Sequence, residues 1–407
     1  MNIFLINHYA GSPTMGMEYR PYYLAKEWIK MGHYVTILVA NNSHIRLHNT
    51  ELNTDIKEEF VDEIRYIWIK TPQYNGNGIK RVKNMFAFVK KALSKASYFA
   101  KTYKPDVVIA SSTYPSDNYV AKKIAKLSGA SYIYEVHDLW PLSPMELGGM
   151  SKFHPFIIAM QHAENFAYKN ADAVVSMLPK TQEHMKTHGF DLKKWYYIPN
   201  GVILDEWENK KSLNTQTKEE INNIKQRYNT VIGYTGTFGV ANALESFILS
   251  AEISKNIGFI IIGKGPEKDN LIKLTKENNI DNVFILGVIN KQEIPELLNL
   301  FDFLYIGLQY KSLFRFGISP NKLIDYMMAG KPIIQAINAG NDIVKEANAG
   351  ISIEPENPQA IADAILKLQN TPKKDLEMMG KNGRNFVLKH HNYKILAKKF
   401  IDIITKL

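Results

Sequence analysis

Residues 208–238, ENKKSLNTQTKEEINNIKQRYNTVIGYTGTF, decide the fold. The first two-thirds is polar, without an apolar stripe, and reads as a linker plus a solvent-facing helix. TVIGYTGTF (230–238) is then an apolar strand running into a glycine turn. Upstream, an alternation of strands and helices has already run once. NIFLIN is a first strand, and a helix over 22–30 stops at Gly32. YVTILVA, PDVVIASS (105–112), SYIYEVHD (131–138), ADAVVSML (171–178) and WYYIP (195–199) are further strands. Downstream the pattern restarts with 230–238, a helix over 242–255, GFIIIGKG (258–265) and a helix from Pro266. NVFILGVI (282–289), a helix through KQEIPELLNL, FLYIGL (303–308) and PIIQAI (332–337) complete it. Short apolar runs alternating with amphipathic helices predict an α/β protein with two units, each a parallel sheet with helices on its faces. The halves repeat an architecture and not a sequence.

Composition narrows the function. The 407 residues contain no cysteine, which excludes disulfides, thiolate metal sites and cysteine nucleophiles, and permits a cytoplasmic location. MNIFLINHYAGSP is too short in its apolar run, and too poor in basic flanks, for a signal peptide. Net charge is +10, and from Arg65 to Lys104 there are 10 Lys or Arg and no acid. That stretch is either a solvated helix face or a patch for anionic lipid, nucleic acid or a phosphorylated substrate.

Ligands of open parallel sheets bind beyond the carboxyl ends of the strands. Five loops there carry informative residues. The first holds Gly11 and Gly16, with Arg20 opening the next helix; its alternative is a plain turn. EVHDLWP places His137 and Asp138 at a strand end, where they can bond a substrate hydroxyl or be satisfied in the core. In YTGTFGVAN, Gly236, Thr237 and Gly239 precede Asn242, so backbone amides can hold a phosphate, or Asn242 simply caps a helix. GKGPEKDNL is a lone G-x-G, without the third glycine of a dinucleotide fingerprint, and NAD is set aside on that ground. In FGISPNKLIDYMMAGKP (316–332), Pro320 suits a first helical position with Ser319 as cap. Lys322 and Asp325 then share a helix face near its positive end. A lysine there favours a bound anion, a diphosphate for example; the alternative is a surface ion pair. Asp-x-Asp, the P-loop and G-x-S-x-G are absent. No His/carboxylate cluster with metal-ligand spacing is legible, so no metal and no cofactor are expected.

SPNKLIDYMMAGKPII, together with the segment from Asn7 to Ala40, YEVHDLWP, YTGTFG and GKGPEKDNL, resembles retaining family-4 glycosyltransferases of the GT-B fold. As a set they look like the O-antigen and capsule transferases proposed to move N-acetyl-fucosamine or a related sugar. The resemblance covers nearly the whole chain. It implies two Rossmann-like domains facing an interdomain cleft. Residues 1–205 would bind acceptor and 206–385 the nucleotide-sugar, and 386–407 would cross back to the first domain. Asp325 would bind the nucleotide's ribose, and Lys322 would neutralise the diphosphate. Gly263, Lys264, Gly265, Val288 and Ile289 would hold the base. His137, beside Asp138, would bond the transferred sugar, and Gly16 would lie near the diphosphate or the acceptor. Gly317, Ile318, Ser319, Pro320 and Asn321 complete the donor loop. Two departures stand out. Gly317 replaces the first acid of the family's pair, and the usual Arg and Lys after the TG strand are missing. Thr237 and Asn242 stand near those positions, leaving Lys322, backbone amides and Arg315 or Arg20 to meet the charge.

The expected reaction is metal-independent transfer, with retention, from a UDP-sugar to a polyprenyl-diphosphate-linked saccharide. No convincing protein nucleophile is visible. Residues 79–104 mix Lys with Phe, Met, Leu and Tyr at helical spacing; such a helix would either lie on the anionic inner face of the cytoplasmic membrane or pack on the sheet by its apolar face. A nucleotide-sugar 2-epimerase on the same fold, and a basic membrane- or nucleic-acid-binding protein, are the alternatives; nucleic acid is not the expected partner.

Overall fold

Fourteen strands form two sheets in a computed structural model that describes residues 1–16, 18–76 and 78–407. The first contains β1 (Asn2–Ile6), β2 (Tyr34–Ala40), β3 (Ile56–Val61), β4 (Ile64–Ile69), β5 (Val107–Ala110), β6 (Ser131–Val136), β7 (Ala173–Ser176) and β8 (Trp195–Tyr197). Its order is β3-β4-β2-β1-β5-β6-β7-β8. The second contains β9 (Thr230–Thr237), β10 (Ile257–Lys264), β11 (Val283–Leu286), β12 (Phe303–Gly307), β13 (Ile333–Ala336) and β14 (Gly350–Ile353), in the order β11-β10-β9-β12-β13-β14. The second sheet is parallel throughout. The expected α/β class and the two Rossmann-like units are therefore present.

The first sheet departs from the expectation at one edge. β3 pairs antiparallel to β4, a hairpin the sequence reading passed over. IKEEFV (56–61) is polar at three of its positions because this edge strand is largely exposed, which hides it among loop residues. GISI (350–353) was likewise too short to stand out.

Chain contacts divide the molecule into residues 1–200 with 393–407, and residues 201–392. The return to the first unit thus begins at Tyr393, where the sequence reading put a boundary at 386; the helix Lys373–His390 stays in the second unit. Helix Tyr393–Ile404 lies on helix Arg20–Lys30. Trp28, fully buried, donates from Nε1 to the Ala397 carbonyl at 3.1 Å and packs edge-on against Phe400. Burying such a side chain stabilises the fold by roughly 1.5–3 kcal/mol, enough to hold a terminal helix in place.

In the second unit, alternate strand residues feed two cores. Ile260, Ile262, Leu304 and Ile306 point to one, with Leu323, Tyr326 and Met327 of helix Asn321–Ala329. Ile232, Tyr234, Phe259, Ile261 and Tyr305 point to the other, under helix Leu244–Ile253. Period-two alternation between two covered faces explains why these strands read as continuous apolar runs. The segment expected to be a stripe-free solvent helix is helix Thr215–Arg227, capped by the Asn214 side chain; it does bury Ile221 and Ile224.

Strand order reverses between β1 and β5 in one sheet and between β9 and β12 in the other. Those are the points where open sheets leave a crevice beyond their carboxyl ends.

Candidate functional site

At the β9–β12 switch point the backbone itself is shaped. Gly236 (φ +143°) and Gly263 (φ +152°) lie directly opposite each other on β9 and β10. A Cβ on Gly263 would sit 1.8 Å from the Gly236 carbonyl oxygen, so only glycine fits. Facing these strand ends, helix Asn321–Ala329 begins after Pro320, and no side chain caps its first turn. Its uncapped N–H groups carry the helix's positive pole.

Lys322 is the central cation. Its Nζ donates to Tyr234 Oη at 2.6 Å and Asn242 Oδ1 at 2.9 Å, and lies 4.3 Å from the centre of the Tyr234 ring. Part of the side chain's surface stays exposed, but the ammonium is desolvated, and burial pulls its pKa down to about 7. Among the described residues no carboxylate pairs with it. The surface-pair alternative also fails for Asp325, whose carboxylate accepts from Lys291 Nζ at 2.5 Å. A desolvated lysine held by neutral oxygens at an uncapped helix start favours an anion carrying several negative oxygens.

The switch point of the first unit carries a second constellation. Glu135, fully buried on β6, accepts from Arg20 at 2.9 Å and from Ser111 Oγ at 2.6 Å. His137 Nε2 lies 3.0 Å from Ser111 Oγ and 3.3 Å from Glu135 Oε2. The carboxylate only accepts, so Nε2 carries the proton and Nδ1 is left for a ligand. Burial alone would lower the His137 pKa; the Glu135 hydrogen bond and charge more than offset this and raise it. Burial opposes the charge on Glu135 too, but Arg20 and His137 together hold its pKa well below the usual carboxylate range.

Two family patterns match the chain. Glycosyltransferase Family 4 matches residues 14–206, and Glycosyl transferases group 1 matches residues 202–386. The chain is a GT-B glycosyltransferase of the family-4 type. Similar solved structures include a sucrose-phosphate synthase from Thermosynechococcus elongatus, with TM-score 0.76, 16% identity, and 99% of this chain and 98% of that one covered. HepE of Anabaena in complex with UDP and glucose gives TM-score 0.68 and 14% identity, covering 100% of each chain. WaaG, a glycosyltransferase involved in lipopolysaccharide biosynthesis, gives TM-score 0.67 and 16% identity, covering 99% of each. At these identities they share the fold. No curated protein sequence matches the chain.

In the transferase, several expected site residues take other places. Arg20 was expected to meet phosphate. It is fully buried and committed to Glu135 and the carbonyls of Ile198 and Pro199, so it is a structural clamp. Ser319 does not cap helix Asn321–Ala329, since Pro320 takes that position. Asn242 does not cap the following helix either. Its Oδ1 receives Lys322 while its Nδ2 donates to the Thr237 carbonyl. Gly16 (φ +94°) is pressed against Arg46 and Leu47, where a Cβ would meet the Leu47 nitrogen at 2.9 Å. Asp138 is exposed, as are Thr237, Lys264 and Val288; Ile289 packs on the core. Gly265 lies so near the Phe238 carbonyl that a Cβ would sit 2.2 Å from it. Arg315 is exposed, donates to the Ser312 carbonyl and stacks on Phe316. Gly317 needs its φ of +98°, Ile318 is tied to Asn341 at both backbone groups, and Asn321 opens the helix.

Glu135, Ser111, Tyr234 and Lys291 were missed. Glu135 had a legible signal, an acid inside an apolar strand two residues before His137 and so on the same face. The expectation of no His/carboxylate cluster also fails, because Glu164, His184 and His188 come together in the first unit.

Proposed function

We propose that this transferase moves a sugar from a UDP-sugar to a lipid-linked saccharide, with retention of configuration and without a metal. The desolvated Lys322 at an uncapped helix start carries the proposal. When the bond between the sugar's anomeric carbon and the β-phosphate oxygen breaks, negative charge grows on the diphosphate. Preorganised donors aimed there supply the largest catalytic term. Lys322 Nζ and the first N–H groups of helix Asn321–Ala329 are such donors, and Asp325 stands one turn on to accept ribose hydroxyls. The acceptor hydroxyl attacks the same face and passes its proton to a diphosphate oxygen. In the first unit, His137 Nδ1 is the group proposed to bond a sugar hydroxyl. The missing Asp-x-Asp supports the metal-free reading.

The first unit supports a large anionic acceptor. Arg81 lies over the rings of Tyr9 and Trp140, beyond the ends of β1 and β6. Helix Ile79–Tyr103 buries its apolar face, including Phe88, Ala92, Ala96 and Phe99, within the unit. That is the packed-helix alternative the sequence left open, so this face is not available to enter lipid. Lys80, Lys83, Lys90, Lys95 and Lys101 remain exposed, and they favour an anionic membrane surface by charge. No described helix is long and apolar enough to cross a membrane. The proposed location is the inner face of the cytoplasmic membrane, where lipid-linked saccharides of surface-polymer assembly are elongated.

A thermal-shift panel of UDP, GDP, ADP and TDP tests the donor. A selective ligand at a hundred times its Kd stabilises by about 2.7 kcal/mol. UDP alone should shift the transition. Equal shifts for all four, or none, contradict the proposal.

A further inference from the structure

Glu164, on helix Pro155–Asn170, is 1% exposed. Among the described residues its carboxylate meets Gln161 Nε2 at 2.7 Å, the Tyr168 hydroxyl at 2.9 Å and His184 Nε2 at 3.0 Å, with no lysine or arginine. A buried carboxylate needs a cation or several donors. Helix Gln182–Thr187 supplies His184, and His188 follows one turn later at its end. The imidazole centres are 4.7 Å apart. One ligand atom each from Glu164, His184 and His188 fall within 4.8 Å of one another.

We infer that Glu164, His184 and His188 form a binding site for a divalent transition-metal ion of the zinc class, tying helix Pro155–Asn170 to helix Gln182–Thr187. Two imidazoles four residues apart chelate from a single turn, and the carboxylate closes the face. Zinc–nitrogen bonds of about 2.0–2.1 Å place tetrahedral ligands roughly 3.3 Å apart, so the trio closes with side-chain shifts on the order of 1 Å. The Tyr168 hydroxyl and Gln161 amide fix the carboxylate's orientation, as outer partners of metal ligands do. Asn165, exposed beside His188 Nδ1 at 3.1 Å, marks an approach from solvent and offers an oxygen for the fourth position. Two nitrogen donors of three select zinc, cobalt or nickel over magnesium and calcium. The site serves the first unit's packing and takes no part in the donor chemistry proposed above.

Chelator-treated, dialysed full-length protein is titrated with Co²⁺, followed by visible absorption, and with Zn²⁺ by calorimetry. One ion per chain, tetrahedral Co²⁺ bands, displacement by Zn²⁺ and indifference to millimolar Mg²⁺ are expected. His188→Ala, which removes a ligand at a half-buried position, should weaken Zn²⁺ binding by more than the roughly 10- to 100-fold typical of losing an outer partner. Circular dichroism and an unchanged thermal unfolding transition of the metal-free protein establish that the variant is folded. His184→Ala should act alike. Absence of saturable binding below about 100 μM, or unchanged affinity in both folded variants, overturns the inference.

Discussion

Lys322 Nζ lies 2.9 Å from Asn242 Oδ1, a residue 80 positions earlier in the chain. Asn242 in turn donates to the Thr237 carbonyl at the end of β9, so the cation is aimed by the strand it faces. Asn242→Ala should leave UDP binding within a few-fold and lower kcat about tenfold, as expected for a group that orients a catalytic donor. Steady-state kinetics checks this; a change confined to KM contradicts it.

The pH dependence of donor binding follows from the lysine. With its pKa near 7, against 10.5 unfolded, the free protein holds it mostly neutral at pH 8. Between those values the unfolded chain binds more protons, so this group's effect on stability becomes more favourable as pH rises from 7 to 10.5. A bound diphosphate recharges it, and affinity should therefore fall as pH rises above 7. Calorimetry of UDP binding at pH 8, in buffers of different ionisation enthalpy, should report uptake approaching about one proton. Lys322→Met should abolish the uptake. Equal heats across buffers for the wild type would contradict the assignment.

Arg20 and Glu135 are both fully buried. Arg20→Ala leaves a buried carboxylate facing only Ser111 and His137, at a cost of about 3–5 kcal/mol in stability. Arg20→Lys should recover little, because the guanidinium also serves two backbone carbonyls. Chemical denaturation measures this. A loss below about 1 kcal/mol in Arg20→Ala, with UDP affinity reduced, would restore the phosphate role.

Gly236 and Gly263, each one residue before its strand's end, lie backbone against backbone. Gly263→Ala must part them, and should abolish the UDP-dependent thermal shift while the first unit stays folded. A normal shift in that variant would contradict the account of this turn.

Exposed lysines on helix Ile79–Tyr103 predict co-sedimentation with vesicles rich in anionic lipid, weakening with salt over a Debye length of about 10 Å at 0.1 M. Equal binding to neutral vesicles contradicts the electrostatic version.

Alternating apolar runs and glycine turns made the two sheets legible, since buried parallel strands need continuous apolar sequence. The edge strand β3 was not, because an exposed strand carries polar residues. The place of Lys322, in the first turn of an apolar helix that follows a loop, was legible. Its partners Tyr234 and Asn242 lie on another element, and sequence spacing cannot report contacts made by strand order. Arg20 misled for the same reason: only the fold brings Glu135, 115 residues away, against it.

The central claim is that a lysine and a helix start, rather than a divalent ion, absorb the leaving group's charge. Turnover of a UDP-sugar by wild type and Lys322→Ala, each with EDTA and with Mg²⁺ restored, tests it most directly. Wild type should be as active with EDTA as with restored Mg²⁺, and Lys322→Ala should lose about 10²–10³-fold in kcat. EDTA inhibition reversed by Mg²⁺, or a Lys322→Ala enzyme within a few-fold of wild type, would contradict it.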